Sequence, residues 1–487
     1  MSEPIPERAD IRQLRIQAKE LLRSLPSGEK LANAQLAIAR KYGFDSWPKL
    51  VEAIETPVLL DRFKTAVYEG DLATLERLLK TKAPLRRHIN DPMFDFDSPA
   101  VVYASRHPRA EKLLPLLVRH GADPNARTKW WAGGFGALDH ASENATEVLA
   151  NLGAKFDVWS ASAKGRIDVL RQLLDDDPVG VNAPGGDGQR PLHVAKTAET
   201  AELLIARGAD LEQRDTDHES TPIQYHANNP EVLRVLVQQG AKPDIFTAVL
   251  LDDVDLAKKI LEDDPAAADA RAGSAPFVTT KSNGGHIYIY LLGNGKTPAQ
   301  VAAERGNRAV LDLLTKGTSP VHRLIAASWL EDHDAVDGLL RKYPDLGKKS
   351  EADARSITDA AQAGKTETVR LLLKAGFDPC TPGMDSGSAL HVACWFGYVE
   401  IVDLLVDHVP LNLKDSNHGS PPLGWAAHGS QWCNNPKGDY VAVVEALLGA
   451  GADLNSPANS GGTTMIDQAG QREDVKEVFR KYSATKG

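Results

Sequence analysis

Apolar residues recur at helical spacing along most of the chain, and short polar segments rich in glycine separate the apolar runs. The runs Leu113–Val118 and Val369–Leu373 each precede a glycine, Gly121 and Gly376. Glycine takes the left-handed conformation at the C-terminal end of a helix without steric cost, so each of these glycines predicts a helix end. The pattern therefore predicts an all-α chain of short helices.

Two short strings recur at the ends of these helical segments. One begins with glycine, and its six copies start at Gly121, Gly153, Gly208, Gly240, Gly376 and Gly451. The other opens a helix with a capping residue, most often followed by proline, at Arg190–Ala195, Thr221–Tyr225, Thr297–Ala303 and Ser388–Ala393. Thr and Ser cap helices, and Pro fits the first helical turn. The strings predict a repeat protein, and they predict a positive φ angle at Gly208, Gly376 and Gly451.

Both strings resemble those of the ankyrin repeat family, whose unit of about 33 residues is two antiparallel helices and a turn with a TPLHxA-like start. The resemblance implies an ankyrin-repeat solenoid of about thirteen helix-pair units in residues 58–487, several of them degenerate. Because no unit buries its apolar face alone, such units stack and present a long concave surface. The resemblance implies that this surface is the binding face.

Residues 1–57 are predicted to form an N-terminal helical capping domain. The string Tyr42–Leu50 resembles a helical leader found ahead of ankyrin arrays in bacterial proteins. We expect Phe44 and Trp47 to shield the end of the apolar stack. Nine basic and four acidic residues lie in the segment Arg8–Lys49. The excess of basic residues is either a site for an anionic partner or, as we expect, the solvated face of the cap.

The charge balance narrows the partners and the location of the protein. Its 56 basic and 66 acidic residues give a net charge of −10, which disfavours nucleic acid and anionic membranes as partners. No apolar stretch approaches the ~18 residues of a transmembrane helix, and no secretory signal is recognisable. Three cysteines, Cys380, Cys394 and Cys433, do not make a disulfide framework. We expect a cytoplasmic protein, and the sequence leaves its oligomeric state open.

The motifs of common catalytic and metal sites are missing from the sequence. Gly133–Gly136 and Gly185–Gly188 are rich in glycine, but no P-loop lysine follows them, so we interpret both as turns. Neither a nucleophile elbow nor a His-Glu-x-x-His or Cys-x-x-Cys zinc motif occurs. His193 and His391 stand at the Leu-His position of the ankyrin resemblance, which implies hydrogen bonds within the turn. We therefore predict no cofactor and no metal, and we assign no catalytic residue.

Aromatic residues mark the candidate binding surface. Alignment of the helical strings places Trp395 and His428 at one position of the repeat, with Trp329 one residue further along. Trp425 stands three residues before that position, and Trp432 follows in a longer loop. Because the family pattern places these positions toward the concave face, we predict that these five residues bind a ligand. The alternative is that the tryptophans only fill space between helices.

Two insertions interrupt the repeats, near residues 272–295 and 429–440, and Trp432 belongs to the second. In the first, Ile287–Tyr290 alternates β-branched and aromatic residues between glycines, which predicts a short strand or hairpin arm. Insertions in repeat proteins often map to the binding face. A tolerated surface excursion is the alternative of equal weight. Trp130–Trp131 is a further candidate for exposed aromatic surface.

Two classes of function are compatible with these patterns. The lack of a catalytic motif favours a recognition scaffold that binds a protein or a small ligand on the concave surface. The alternative is an enzyme, a hydrolase or lyase acting on a glycoside-like substrate in the concave groove. It would use His428 and Asp359 as general acid and base, with the tryptophans as a platform for the substrate. The enzyme requires that His428, Asp359 and the tryptophans converge on one enclosed pocket.

Overall fold

The computed structural model describes residues 3–5, 10–26, 28–278, 284–349, 353–433 and 435–485. The chain divides into two compact units. The first unit is Met1–His226 with Gln238–Ala241 and Ser282–Gly284, and the second is Ala227–Val237, Lys242–Lys281 and Gly285–Gly487. Within the described ranges both units consist of α-helices, short 3-10 helices and turns, without a β-strand. The all-α fold class is thereby confirmed.

The first unit begins with a long helical segment and continues as short helices. Its α-helices are α1 (Ile11–Ser24), α2 (Leu31–Lys41), α3 (Trp47–Glu69), α4 (Leu72–Thr81), α5 (Ala83–His88), α6 (Ala100–Ala104), α7 (Ala110–Arg119), α8 (Glu143–Asn151), α9 (Val158–Lys164), α10 (Ile167–Asp176), α11 (Ala198–Ala206) and α12 (Pro222–Tyr225). Its 3-10 helices are Asp95–Asp97, Pro178–Asn182, Gly186–Gly188 and Pro191–Val194.

The second unit contains the remaining helices. Its α-helices are α13 (Pro230–Gln238, all but the last residue), α14 (Ile245–Leu251), α15 (Val254–Asp263), α16 (Tyr288–Leu291), α17 (Pro298–Arg305), α18 (Arg308–Leu314), α19 (Pro320–Trp329), α20 (His333–Lys342), α21 (Ser356–Gln362), α22 (Thr366–Lys374), α23 (Ala389–Phe396), α24 (Val399–Leu405), α25 (Pro422–Trp432), α26 (Tyr440–Gly449), α27 (Met465–Gln468) and α28 (Glu473–Thr485). Its 3-10 helices are Pro265–Asp269, Gly347–Lys349 and Met384–Ser386.

Helices of the second unit pack in two parallel rows. The first helices of successive repeats, α21, α23, α25 and α27, pack side by side, and the second helices, α22, α24, α26 and α28, form the other row. The two rows meet where each pair, such as α23 and α24, packs together. Leu390 and Val402, one from each row, are fully buried between them. A turn connects each second helix to the next repeat, so successive turns lie beside the first row.

Glycine ends the helices as the sequence predicts. The φ angles of Gly208, Gly376 and Gly451 are +90°, +88° and +103°, which confirms the predicted left-handed positions. A β-carbon at Gly376 would lie 3.0 Å from the Lys348 side chain, so a larger residue would meet this close contact in addition to an unfavourable φ angle.

The predicted strand arm at Ile287–Tyr290 is wrong, because the segment contains helix α16. The Tyr288 ring packs on Phe246 and Phe277 at centroid distances of 5.2 and 5.5 Å, and its hydroxyl donates to Asp244 Oδ2 at 2.9 Å. Burial of Tyr288 therefore selects a helical turn over an extended arm. Residues 279–283 of this insertion, and residue 434 of the second, lie outside the described residues.

The N-terminal helices α1 to α3 bury their own small core, which includes Leu14, Ile38 and Leu50. Phe44 and Trp47 pack against it and are partly buried. The expected domain boundary after residue 57 falls inside α3, which continues through Pro57 without interruption. Of the basic residues counted here, Arg8 lies outside the described part of the chain. None of the described helices combines the length and apolar character needed to cross a membrane.

Candidate functional site

A cavity of about 270 Å³ opens in the second unit, where the turns meet the first row of helices. We name it the Trp395 cavity and define it by its lining residues, which are Met384, Asp385, Trp395, His418, Ser420, Trp425, His428, Ala458, Asn459 and Gln468. Helices α23, α25 and α27 supply its base. The turns before them supply its walls. The cavity thus draws on three successive repeats.

Aromatic rings form one side of the Trp395 cavity. The half-buried ring of Trp395 meets Trp425 at a centroid distance of 6.3 Å and an angle of 78°. It meets the imidazole of His428 at 5.4 Å and 83°. Both are edge-to-face arrangements, which aromatic pairs prefer. The three side chains that the sequence aligned at inward positions therefore lie together in the structure.

Trp425 is held in place by a carboxylate behind it. Its indole Nε1 donates to Asp415 Oδ2 at 2.9 Å, and Asp415 also accepts the backbone N–H groups of His418 and Ser420. Burial favours a higher pKa for Asp415, but these hydrogen bonds outweigh it and hold the pKa below its ordinary value. A β-carbon at Gly387 would lie 2.7 Å from the indole. Although only 5% exposed, Trp425 thus presents a fixed edge to the cavity.

Polar groups stand around the rim of the cavity. His428 is exposed, and desolvation of its ring together with the neighbouring His418 lowers its pKa. A neutral imidazole at pH 7 can donate one hydrogen bond and accept another. Across the cavity, Asn459 Nδ2 donates to Gln468 Oε1 at 2.9 Å. The site therefore combines an apolar aromatic wall with the hydrogen-bonding groups of His428, Asn459 and Gln468 and the carboxylate of Asp385.

Two of the five aromatic site candidates lie outside the Trp395 cavity. Trp329 is only 7% exposed in helix α19, and the Lys296 ammonium stands 5.8 Å from its ring. One residue of offset along a helix turns a side chain by about 100°, so Trp329 does not share the orientation of Trp395. Trp432 ends helix α25 and is 65% exposed, but it does not line the cavity. The structure therefore brings three of the five predicted binding residues, Trp395, Trp425 and His428, together at one cavity.

The proposed acid–base pair of the enzyme alternative is not assembled. Asp359 lies in helix α21, where it accepts a hydrogen bond from Arg355 Nε at 2.9 Å. It lines a small separate cleft with Lys296 and Gln300. Among the described residues, no hydrogen bond joins His428 to a carboxylate. Asp359 therefore does not line the Trp395 cavity with His428.

The sequence analysis did not identify several of the residues that line the cavity, because they lie in turns. Asp385 has a φ angle of +46°, a left-handed conformation that is uncommon for a residue with a side chain. His418 and Asn459 occupy the next two turns along the chain. The available signal was the position of each of these residues just before the string that opens a repeat. Aligning the turns as well as the helices would have placed the three together.

Comparison with known proteins shows which family the chain resembles. The family model described as ankyrin repeats (3 copies) matches residues 357–458, which include most of the Trp395 cavity. Cyclin-dependent kinase 4 inhibitor B of Rattus norvegicus is 33% identical over 113 residues, 22% of this chain and 85% of the relative. The chain belongs to the ankyrin repeat family.

Two larger relatives match shorter shares of their own length. Ankyrin repeat and SAM domain-containing protein 6 of Mus musculus is 32% identical over 91 residues, 18% of this chain. E3 ubiquitin-protein ligase KEG of Arabidopsis thaliana is 24% identical over 329 residues, 65% of this chain. The chain spans 10% of the first relative and 18% of the second. The likeness therefore covers only a small part of each of these two relatives.

Proposed function

We propose that this chain is a non-catalytic scaffold that binds a protein partner on the turns and first-row helices of its repeats. The Trp395 cavity would receive one aromatic side chain of the partner. The observation that carries the proposal is the cluster of Trp395, Trp425 and His428 around an open cavity in the segment that matches the ankyrin model. Ankyrin stacks use this kind of surface for recognition.

The chemistry of the cavity supports an aromatic occupant. An apolar cavity of about 150 Å³ is large enough for benzene, and the Trp395 cavity is larger, at about 270 Å³. The edges of Trp395 and Trp425 would pack on a ring, and buried aromatic contacts dominate binding energy in protein interfaces. The neutral groups His428 and Gln468 at the rim suit a polar tip, such as the hydroxyl of tyrosine or the N–H of tryptophan.

The domain organisation that we propose follows the sequence prediction. Residues 1–57 would cap the stack, with Tyr42–Leu50 as a leader of the bacterial type, and residues 58–487 would form about thirteen stacked repeats. The binding surface would then lie on the concave side of the stack. A cytoplasmic location would fit a chain with three unpaired cysteines.

The test is selection of peptides from a random displayed library on the full-length protein. Selected peptides are synthesised, and their dissociation constants are measured with the wild type and with Trp395→Ala. We expect peptides with a shared Trp or Tyr and a loss of about 2 kcal/mol, or about 30-fold in affinity, for the variant. Millimolar indole should compete for the same site.

Trp432→Ala is the matched control, because Trp432 is exposed in the same helix as Trp425 but does not line the cavity. It should leave peptide affinity within about twofold, as expected for a residue outside a hot spot. Equal affinity of all selected peptides for the wild type and Trp395→Ala would contradict the assignment of the cavity. Far-UV circular dichroism and urea unfolding verify that both variants are folded.

A further inference from the structure

Two neighbouring turns of the first unit bring Asp187, Asp217 and His218 together, and we name this group the Asp187 cluster. His218 Nε2 lies 3.8 Å from an oxygen of each carboxylate. One ligand atom from each of the three residues lies within 4.8 Å of the other two. Both distances from Nε2 exceed 3.5 Å, so neither is a hydrogen bond. The imidazole thus lies beside two carboxylates without a hydrogen bond to either.

The Asp187 cluster is largely withdrawn from water. The side chains of Asp187, His218 and Asp217 are 17%, 13% and 9% exposed. Asp217 Oδ1 is fully buried and has no hydrogen-bond partner in the described part of the chain. A buried carboxylate oxygen without a partner costs free energy that a bound cation would recover. The unsatisfied oxygen is the independent sign of a missing ligand.

We propose that the Asp187 cluster binds a divalent transition-metal cation of the Zn²⁺ class. One imidazole nitrogen and two carboxylate oxygens suit Zn²⁺ and its first-row neighbours, whereas Ca²⁺ and Mg²⁺ prefer oxygen ligands alone. Donor atoms with bonds of about 2.0–2.2 Å to one tetrahedral cation stand about 3.4 Å apart, so each carboxylate oxygen would move about 0.4 Å closer to His218 Nε2. Three protein ligands leave a coordination position open for water or a partner side chain.

The backbone prepares this arrangement before any cation binds. The carbonyl of Asp187 accepts the N–H groups of Thr216 and Asp217 at 2.9 and 3.2 Å, which ties the two turns together. The N–H of His218 donates to Asp215 Oδ2 at 2.8 Å. A β-carbon at Gly284 would lie 2.6 Å from Asp217 Oδ2, so the backbone there closes one side of the cluster. The three side chains of the Asp187 cluster therefore need little further ordering when a cation binds.

The second unit contains the same two turns with one ligand changed. Asp385 and His418 occupy the positions of Asp187 and His218, and Asn417 replaces Asp217. The second unit thus offers one carboxylate and one imidazole where the first offers two carboxylates and one imidazole. An amide oxygen carries no charge and binds transition metals less well than a carboxylate. The chain therefore offers its own control for the proposed site.

The experiment is titration of metal-free full-length protein with Zn²⁺ alone, followed by isothermal calorimetry, and with Co²⁺, followed by visible absorption. The variants are Asp217→Asn, which copies the second unit, and His218→Gln. The control is His418→Gln, which removes the corresponding imidazole of the second unit. We expect one site in the wild type, weakened at least about tenfold in both cluster variants and unchanged in the control. Mg²⁺ should not compete.

The Co²⁺ spectrum reports on the ligands of the cation. It therefore distinguishes the loss of a ligand from the loss of folded protein. Ligand-field bands of the wild type should retain their intensity in His418→Gln and should be lost in a folded Asp217→Asn. Absence of Zn²⁺ binding by the wild type would overturn the proposal. Equal Zn²⁺ affinity of the wild type and both cluster variants would also overturn it, by placing the cation elsewhere.

Discussion

The segments Gly185–His193 of the first unit and Gly383–His391 of the second correspond residue by residue. In both, the first N–H donates to the fifth carbonyl across the turn at 2.8 Å. The third residue is an aspartate with a positive φ angle, +55° for Asp187 and +46° for Asp385. The last residue is a histidine buried under the turn. One backbone conformation is therefore used twice.

The space beneath the two turns differs. In the first unit, a β-carbon at Gly186 would overlap the ring of Phe135, so aromatic packing fills the region under the turn. In the second unit, Met384 takes the place of Gly186 and lines the open Trp395 cavity. Tyr225 in the first unit corresponds to Trp425 in the second. The two turns share one backbone conformation. The residues at the turn and on the next helix decide whether a cavity opens beneath it.

The largest expected effect comes from exchanging the turn residues. Gly186→Met should lower the free energy of unfolding by about 2–3 kcal/mol, because the new side chain must displace Phe135 from a packed position. Urea unfolding of the full chain measures the loss. Met384→Ala is the matched variant in the second unit. It should cost about 1 kcal/mol or less, since the side chain is only half-buried beside a cavity. Equal losses in the two variants would mean that the two interiors do not differ as described.

The buried histidines should respond alike to pH in both units. The Nδ1 atoms of His193 and His391 accept backbone N–H groups, and their Nε2–H groups donate to carbonyls, so each imidazole is neutral. Burial lowers the pKa of His193 to about 3 and of His391 to about 4. Below the ordinary pKa of about 6.5, only the unfolded state takes up the proton. Each histidine therefore contributes a loss of stability as pH falls toward its folded pKa.

Variants isolate this contribution. The difference in free energy of unfolding between the wild type and His391→Gln should shrink by about 2 kcal/mol between pH 6.5 and pH 4.5, at ~1.4 kcal/mol per pH unit. His193→Gln should give the same slope. Urea titrations at several pH values measure both. A pH-independent difference would show that folding does not change the pKa of the imidazole.

The sequence predicted the repeated frame well because the frame depends on local rules. Glycines such as Gly376 end helices for steric reasons, and the structure agrees. Aligned helix strings also identified Trp395, Trp425 and His428, which the structure brings together around one cavity. Their role in binding remains a prediction. Helical periodicity fixes which residues share a face, and that is the information these predictions needed.

Features that depend on contacts between distant segments were not predicted. The alternation in Ile287–Tyr290 is compatible with a strand, but burial of Tyr288 against Phe246 decides for a helix. The ligand atoms of the Asp187 cluster come from two turns about 30 residues apart, the length of one repeat, and no short motif records such spacing. Trp329 was misplaced by an offset of one residue. For the insertion and the Asp187 cluster the missing information was tertiary, whereas the offset of Trp329 is visible in the sequence.

A smaller effect is expected when Trp425 of the second unit is replaced by tyrosine, the residue at the corresponding position of the first unit. Trp425→Tyr should cost about 1–2 kcal/mol of stability, because it removes ring area and the indole hydrogen bond to Asp415. Tyr225 bonds Gln189 through its hydroxyl in the first unit, so a tyrosine is compatible with the frame. Binding of an indole probe, measured by fluorescence, should weaken. A variant as stable as the wild type that still binds indole equally would remove Trp425 from the site.

The smallest expected effect concerns the fourth residue of the turn, Ser386 in the second unit and Gly188 in the first. The Ser386 hydroxyl accepts the N–H groups of Ser416 and Asn417, both at 3.0 Å, and its loss should cost about 1 kcal/mol. Ser386 also has a φ angle of +63°, a left-handed conformation that costs a non-glycine residue about 1 kcal/mol.

These two contributions have opposite signs when serine is replaced by glycine. Ser386→Gly should therefore change the free energy of unfolding by less than about 0.5 kcal/mol, whereas Ser386→Ala keeps the unfavourable φ angle, loses the hydroxyl and should cost about 1 kcal/mol. Urea unfolding of both variants under identical conditions measures the difference. If alanine proves as stable as glycine at this position, the left-handed conformation is not what the turn of the second unit must accommodate.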